Sequence, residues 1–118
     1  MSEQSEPKGR IEVSPTAIAS IAHEALTRCY GVVGTVSKGL TTEIRDILSP
    51  ESKRGVVVRV EGSRIVIDLY IVIEYGTRIA SVARSAMNVV KYNVEKALGI
   101  PVAEVNVHVQ GVRISDRD

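Results

Sequence analysis

Between Arg64 and Tyr75 the chain alternates without a break. Ile65, Ile67, Leu69, Ile71, Ile73 and Tyr75 are large and apolar, while Arg64, Val66, Asp68, Tyr70, Val72 and Glu74 are mixed. Side chains alternate across a strand, so the pattern predicts one long strand with a fully apolar face and a half-wetted one. One and a half apolar faces predict helices on one side of a sheet and an open surface on the other. Val56, Val58 and Val60 alternate in the same way. Glu61-Gly62-Ser63 then reverses the chain into Arg64, which predicts an antiparallel hairpin. Ala103–Ile114 predicts the last strand, with Val105, Val107 and Val109 on one face and Asn106, His108 and Gln110 on the other. Beyond Gly111 the apolar positions are Val112 and Ile114. Either a bulge at Gly111 or the end of the strand accounts for that change of phase.

Elsewhere the period lengthens. Arg10–Val13 reads as a short strand, and Ser14-Pro15 as a helix start, with Ser14 the N-cap and Pro15 in the first turn. Ile18, Ile21, Ala22, Ala25, Leu26 and Cys29 then form an apolar stripe, opposite Thr16, Ser20, His23, Glu24 and Thr27, and Gly31 ends the helix. Gly31–Arg54 is the least regular part. Thr41 or Thr42 begins a short helix through Leu48, Ser49-Pro50 ends it, and Ser52–Gly55 reads as a loop. Gly76-Thr77 opens a long helix whose inner stripe is Ile79, Val82, Ala83, Ala86, Val90, Val94 and Ala97. Leu98-Gly99-Ile100-Pro101 stops it.

The order is therefore β-α-(short α)-β-β-α-β. This is an α+β, two-layer sandwich with a four-stranded mixed sheet and both main helices on one face, ferredoxin-like or KH-like in layout. Whether Arg10–Val13 or Ala103–Ile114 flanks the central strand is open at this level. Residues 1–8 are polar and without period, and read as a disordered tail; residues 9–118 form a single domain.

Composition narrows the function. The 118 residues carry 15 Lys and Arg against 14 Asp and Glu, a net charge of +1 that favours neither nucleic acid nor an anionic membrane as main partner. The single Cys29 excludes an intrachain disulfide and a Cys-based zinc cluster, and suits a reducing cytosol. No apolar run approaches the roughly 20 residues that span a bilayer, so a partner would have to hold the chain at a membrane. His23 and His108 lack ligand-spaced companions, and Cys29 falls on an inner stripe, so no metal or cofactor is expected. No acid, base and nucleophile converge, which argues against an enzyme.

Two constellations remain. Gly31-Val32-Val33-Gly34 has the spacing of the G-x-x-G loop with which KH domains clamp a nucleic-acid backbone. With Gly31, Gly34 and Lys38, and with Arg84 and Lys91 on the basic second helix, it makes an alternative RNA-binding surface. Both residues between the glycines are apolar, however, which better suits a helix cap and a docking segment. The more informative surface is the open sheet face: Val57, Arg59, Val66, Asp68, Tyr70, Val72, Asn106, His108 and Gln110. Exposed Val and Tyr among varied donors and acceptors suggest a protein-contact surface, although strands favour β-branched residues in any case.

The stretches Asp68-Leu69-Tyr70-Ile71-Val72-Ile73-Glu74-Tyr75-Gly76 and Val105-Asn106-Val107-His108-Val109-Gln110-Gly111-Val112 are together fairly specific. With Gly9-Arg10-Ile11 leading into Ser14, the chain resembles the alkaline-shock-protein family from Gly9 to about Arg113. The resemblance implies a small, cytoplasmic bacterial protein of envelope stress or homeostasis. Members self-associate as dimers or larger assemblies, and some are held at the inner face of the cell membrane by a membrane-anchored partner. No catalytic residue comes with the resemblance, and the chain lacks the long charged extensions of larger members.

Overall fold

A computed structural model describes residue 9, residues 12–36 and residues 55–114. Its elements are α1 (Pro15–Thr27), β1 (Val32–Thr35), β2 (Val56–Glu61), β3 (Arg64–Glu74), α2 (Ile79–Leu98) and β4 (Glu104–Arg113). The expected tail over residues 1–8, the short helix ending at Leu48, and Lys38 lie outside the described residues.

β3 organises the sheet. β2 pairs with it antiparallel from Val56↔Leu69 to Glu61↔Arg64, the expected hairpin. β4 pairs with it parallel from Val66↔Glu104 to Glu74↔Arg113. β1 pairs antiparallel with its far end, Val32↔Ile73 to Thr35↔Ile71. Because β4 holds one edge of β3 along nearly all its length, β1 and β2 must share the other edge end to end. The four strands therefore make three lanes in a mixed sheet. The lane is broken opposite Tyr70, whose carbonyl accepts from Val36 N–H at 2.9 Å and whose N–H donates to Gly55 O at 2.8 Å.

This arrangement corrects the first strand. Glu12–Ser14 are in no strand, and Val13 is 45% exposed. Arg10 and Ile11 lie outside the described residues, and both edges of β3 are occupied by other strands. Val32–Thr35, a β-branched run interrupted by Gly34, fills the far end of that edge instead.

The helices form as expected, with changes at their ends. Ser14 Oγ accepts from Ala17 N–H at 3.1 Å. α1 stops at Thr27, before Gly31 is reached. Gly31 has another duty: at φ +90° its missing Cβ would stand 2.7 Å from Val82 Cγ2, so glycine permits the turn into β1 to pass against α2. Gly99 caps α2 in the left-handed conformation, its N–H donating to Glu95 O at 2.8 Å. The inner stripe of α2 narrows to Val82, Ala86, Val90 and Val94. Ile79 and Ala97, expected inside, are exposed because they lie at the helix ends, beyond the core.

The core lies on the odd face of β3. Ile65, Ile67, Leu69, Ile71 and Ile73 pack with Val56, Val58 and Val105 beneath Ile18, Ala22, Leu26, Val82, Ala86, Val90 and Val94. Ala19, Ala22 and Ala25 are all buried on α1, where short side chains let helix and sheet approach closely. The phase change in β4 is a bulge: Val109 pairs with Ile71 and Gly111 with Val72, so Gln110 is the extra residue.

Candidate protein-contact face

The even side chains of β3 and their neighbours on β2 and β4 lie opposite the helices. Asp68 is the centre. In register it stands between Val57 and Asn106, and it is only 8% exposed. Its Oδ2 accepts from Arg59 at 2.9 Å. Its Oδ1 accepts from Asn106 Nδ2 at 3.1 Å and lies 3.1 Å from His108 Nε2. An ionised carboxylate has acceptor sites for all three partners, so a carboxylate between these lanes ties β2 and β4 to β3.

The network continues along the face. Arg59 Nη1 reaches Glu61 at 3.0 Å, Glu61 meets Arg64 at 3.3 Å, and Arg64 meets Glu104 at 3.5 Å. On the other side His108 stacks on Tyr70, with ring centroids 4.5 Å apart and planes inclined by 11°. The rings pair because Tyr70 and His108 are register partners on adjacent parallel strands.

Burial alone pushes the Asp68 carboxyl up. Hydrogen bonds from His108, Arg59 and Asn106, with the Arg59 charge, outweigh it and leave the pKa below the ordinary carboxylate value. Burial pushes the Tyr70 hydroxyl up, aided by the Asp68 charge and opposed by Arg59. The hydrogen bond and charge of Asp68 raise Arg59. A depressed carboxyl stabilises the fold fully above its unfolded value of about 4, and the contribution is lost as pH falls through the lower folded value. Asp68→Asn is therefore expected to cost about 1 kcal/mol at pH 7, a modest figure because Arg59 is half-exposed and screened. Urea titrations should show the gap between wild type and variant closing below about pH 4. A gap constant down to pH 2 would contradict this assignment.

Of the nine residues expected on this face, Arg59, Asp68, Tyr70, Asn106 and His108 are brought into one network. Val66 and Val72, at 2% and 8% exposure, are its floor and not its surface. Val57 is half-buried, and Gln110 stands outside the register as the bulge residue. Sequence reading passed over Glu61, Arg64 and Glu104: Glu61 meets Arg64 across the hairpin, and Arg64 meets Glu104 only once the parallel register is known.

The alternative nucleic-acid set does not form a G-x-x-G loop. Gly34 is paired with Val72 inside the sheet, and Gly31 lies at the strand entry against α2. The β-branched Val32 and Val33 complete an edge strand, which is why no loop forms there. Arg84 is exposed on α2, and Lys91 stands 4.0 Å from Glu95. His23, expected on a solvated face, is half-buried; its Nδ1 has no hydrogen-bond partner among the described residues, and it lines a cavity of about 290 Å³ between α1 and β1. Among the described residues no helix is long and apolar enough to cross a membrane.

Residues 3–114 match the alkaline shock protein 23 family, described as having a cell envelope-related function. The chain is 44% identical over 110 residues to the uncharacterized protein YloU of Bacillus subtilis, covering 92% of each. It is 29% identical over 112 residues to a stress response regulator gls24 homolog of Streptococcus pyogenes, covering 93% of this chain and 62% of that one. Among solved structures, a zinc form of a MamM CTD variant shares the fold, with TM-score 0.50, 16% identity and 86% of each chain covered.

Proposed function

The chain belongs to the alkaline shock protein 23 family, with its cell envelope-related function, and from that premise we propose that it is a non-enzymatic adaptor whose open sheet face holds a second copy or another protein. It works in the cytoplasm, at the inner face of the membrane where a membrane-anchored partner recruits it. The stress-response description of a streptococcal relative supports a role in envelope stress or homeostasis.

The observation that carries this reading is the Asp68 network. A carboxylate at 8% exposure with three partners, on the sheet face away from the helices, makes a rigid polar surface around the Tyr70–His108 stack. The main hydrophobic cluster lies on the other side, against the helices. An aromatic centre with paired charges at its margin matches the anatomy of protein interfaces.

Sedimentation equilibrium tests the self-association. Wild type should shift from monomer to dimer or larger species as concentration rises. Tyr70→Asp should weaken that association roughly tenfold or more, the effect of losing an aromatic anchor. Tyr92→Asp, at a 61% exposed position on α2, should leave it unchanged. A monomer at every concentration, with no protein recruited to the face, would count decisively against the adaptor.

A further inference from the structure

β4 presents a long, continuous sheet edge. It runs for ten residues and, among the described residues, pairs with β3 alone. The opposite edge of the sheet is split into two short pieces, Val32–Thr35 and Val56–Glu61. A strand paired on one side presents backbone N–H and C=O groups outward on the other, where a further strand can be added. Such edges are commonly blunted by lysine, proline or a charge set along the strand. β4 has no Lys or Pro, and its acidic and basic residues are Glu104 and Arg113, at its two ends. Its apolar side chains are incompletely covered. Val107 and Val109 are half-buried and Val112 is 45% exposed, while Leu69, Ile71 and Ile73 beside them on β3 have no exposed surface.

The bulge at Gln110 gives this edge a further property. Glu104 and Arg113 are an odd number of positions apart, so in an unbulged strand they would lie on opposite faces. The extra residue brings both onto the open face, beside Val66 and Glu74. With Gln110 set aside, the sequence of faces along β4 reads the same in both directions, with His108 at its centre. Laid antiparallel on itself, the strand sets Glu104 against Arg113 of the second copy, Val105 against Val112, Val107 against Val109, and His108 against His108. Each pair shares a face, each helix-side valine meets a valine, and opposite charges meet at both ends. A parallel arrangement would set like charge on like charge. The antiparallel contact is also isologous, and so closes as a dimer.

We infer that β4 pairs antiparallel with β4 of a second copy, centred on His108, and joins two sheets into one. The occupant is a second copy and not an unrelated strand because the match of charge and face is to the sequence of β4 itself. This goes beyond the reading of the open face and does not rest on it. In the joined sheet the two open faces lie side by side, free to hold another protein. In the single chain the Arg113 guanidinium lies towards Gly34, across β3. It turns outward to meet Glu104 of the second copy, while the backbone and valine pairing is independent of it.

Oxidative cross-linking of the full chain tests the geometry. On a Cys29→Ser background, His108→Cys should be driven into a covalent dimer by copper phenanthroline, because paired positions across strands stand about 5 Å apart. Glu104→Cys should not, because its two copies are roughly 25 Å apart at the far ends of the paired strands. Sedimentation equilibrium tests the register. Glu104→Arg and Arg113→Glu should each weaken dimerisation roughly tenfold by setting like charges together, and the double variant should regain most of the loss. Within one chain the two positions are also roughly 25 Å apart, too far for that recovery to arise inside a monomer. A double variant no better than either single one overturns the inference, as does equal cross-linking at the two positions or none at either. Tyr70→Asp separates it from the reading of the face. If Tyr70→Asp dissociates the copies and the charge variants do not, the face is the contact and the edge is not. If the charge variants dissociate them and Tyr70→Asp does not, the edge joins the copies and the face is left to another protein. A monomer at every concentration overturns the inference, whatever other protein the face recruits.

Discussion

Gly55→Ala is expected to destabilise the fold by about 3 kcal/mol or more, through left-handed strain and a clash that cannot relax. Gly55 has φ +79°, and a Cβ there would stand 2.7 Å from Thr35 Cβ, 2.9 Å from Val36 O and 3.0 Å from Tyr70 O. Two of these three are backbone oxygens, so no rotamer change can make room. The position matters because it is the point at which the broken lane resumes. Gly55 O accepts from Tyr70 N–H, and Val36 N–H donates to Tyr70 O, so both ends of the break are fastened to one residue of β3. Forcing them apart should loosen β1 and β2 together. Chemical denaturation should show a lower midpoint, with amide exchange accelerated at Val36 and Tyr70 in particular. A variant as stable as wild type would mean that the lane is not pinned at this point.

Leu69→Ala should cost about 3 kcal/mol, within the 2–5 kcal/mol span for deleting a fully buried leucine. Leu69 has no exposed surface and lies between Val56 on β2 and Val107 on β4, at the middle of the helix-covered face. The cavity left behind opens beneath α1 and α2, and the neighbouring β-branched chains are too stiff to fill it. The urea midpoint should fall with its slope unchanged. A cost below about 1 kcal/mol would mean that the layer above Leu69 can collapse onto it, contrary to the packing described.

The fold was legible wherever one period ran long enough. β3 and its hairpin partner, α1 with its Ser14 cap, α2 with its Gly99 stop, and β4 with a change of phase at Gly111 all follow from alternation and end signals. What escaped was the far end of the β2 lane. Val32–Thr35 is too short to show alternation and contains a glycine, so it resembled a cap and a docking segment more than a strand. Glu12 and Val13, read as the end of a strand, are in none, since alternation alone cannot show whether a neighbouring strand has a free edge. Register was hidden for the same reason. The residue types of the open face were visible, but that Asp68 meets Asn106 and His108 follows from the parallel pairing of β3 with β4.

The central claim is that the sheet surface around Asp68 is where this protein meets others. The most direct measurement compares amide and side-chain NMR spectra of the chain when dilute and when concentrated enough to associate. The account predicts that Val57, Tyr70, Asn106 and His108 move together with concentration while Arg84, Tyr92 and Lys96 on α2 stay in place. Movement confined to α2, with the sheet face unchanged, would contradict it.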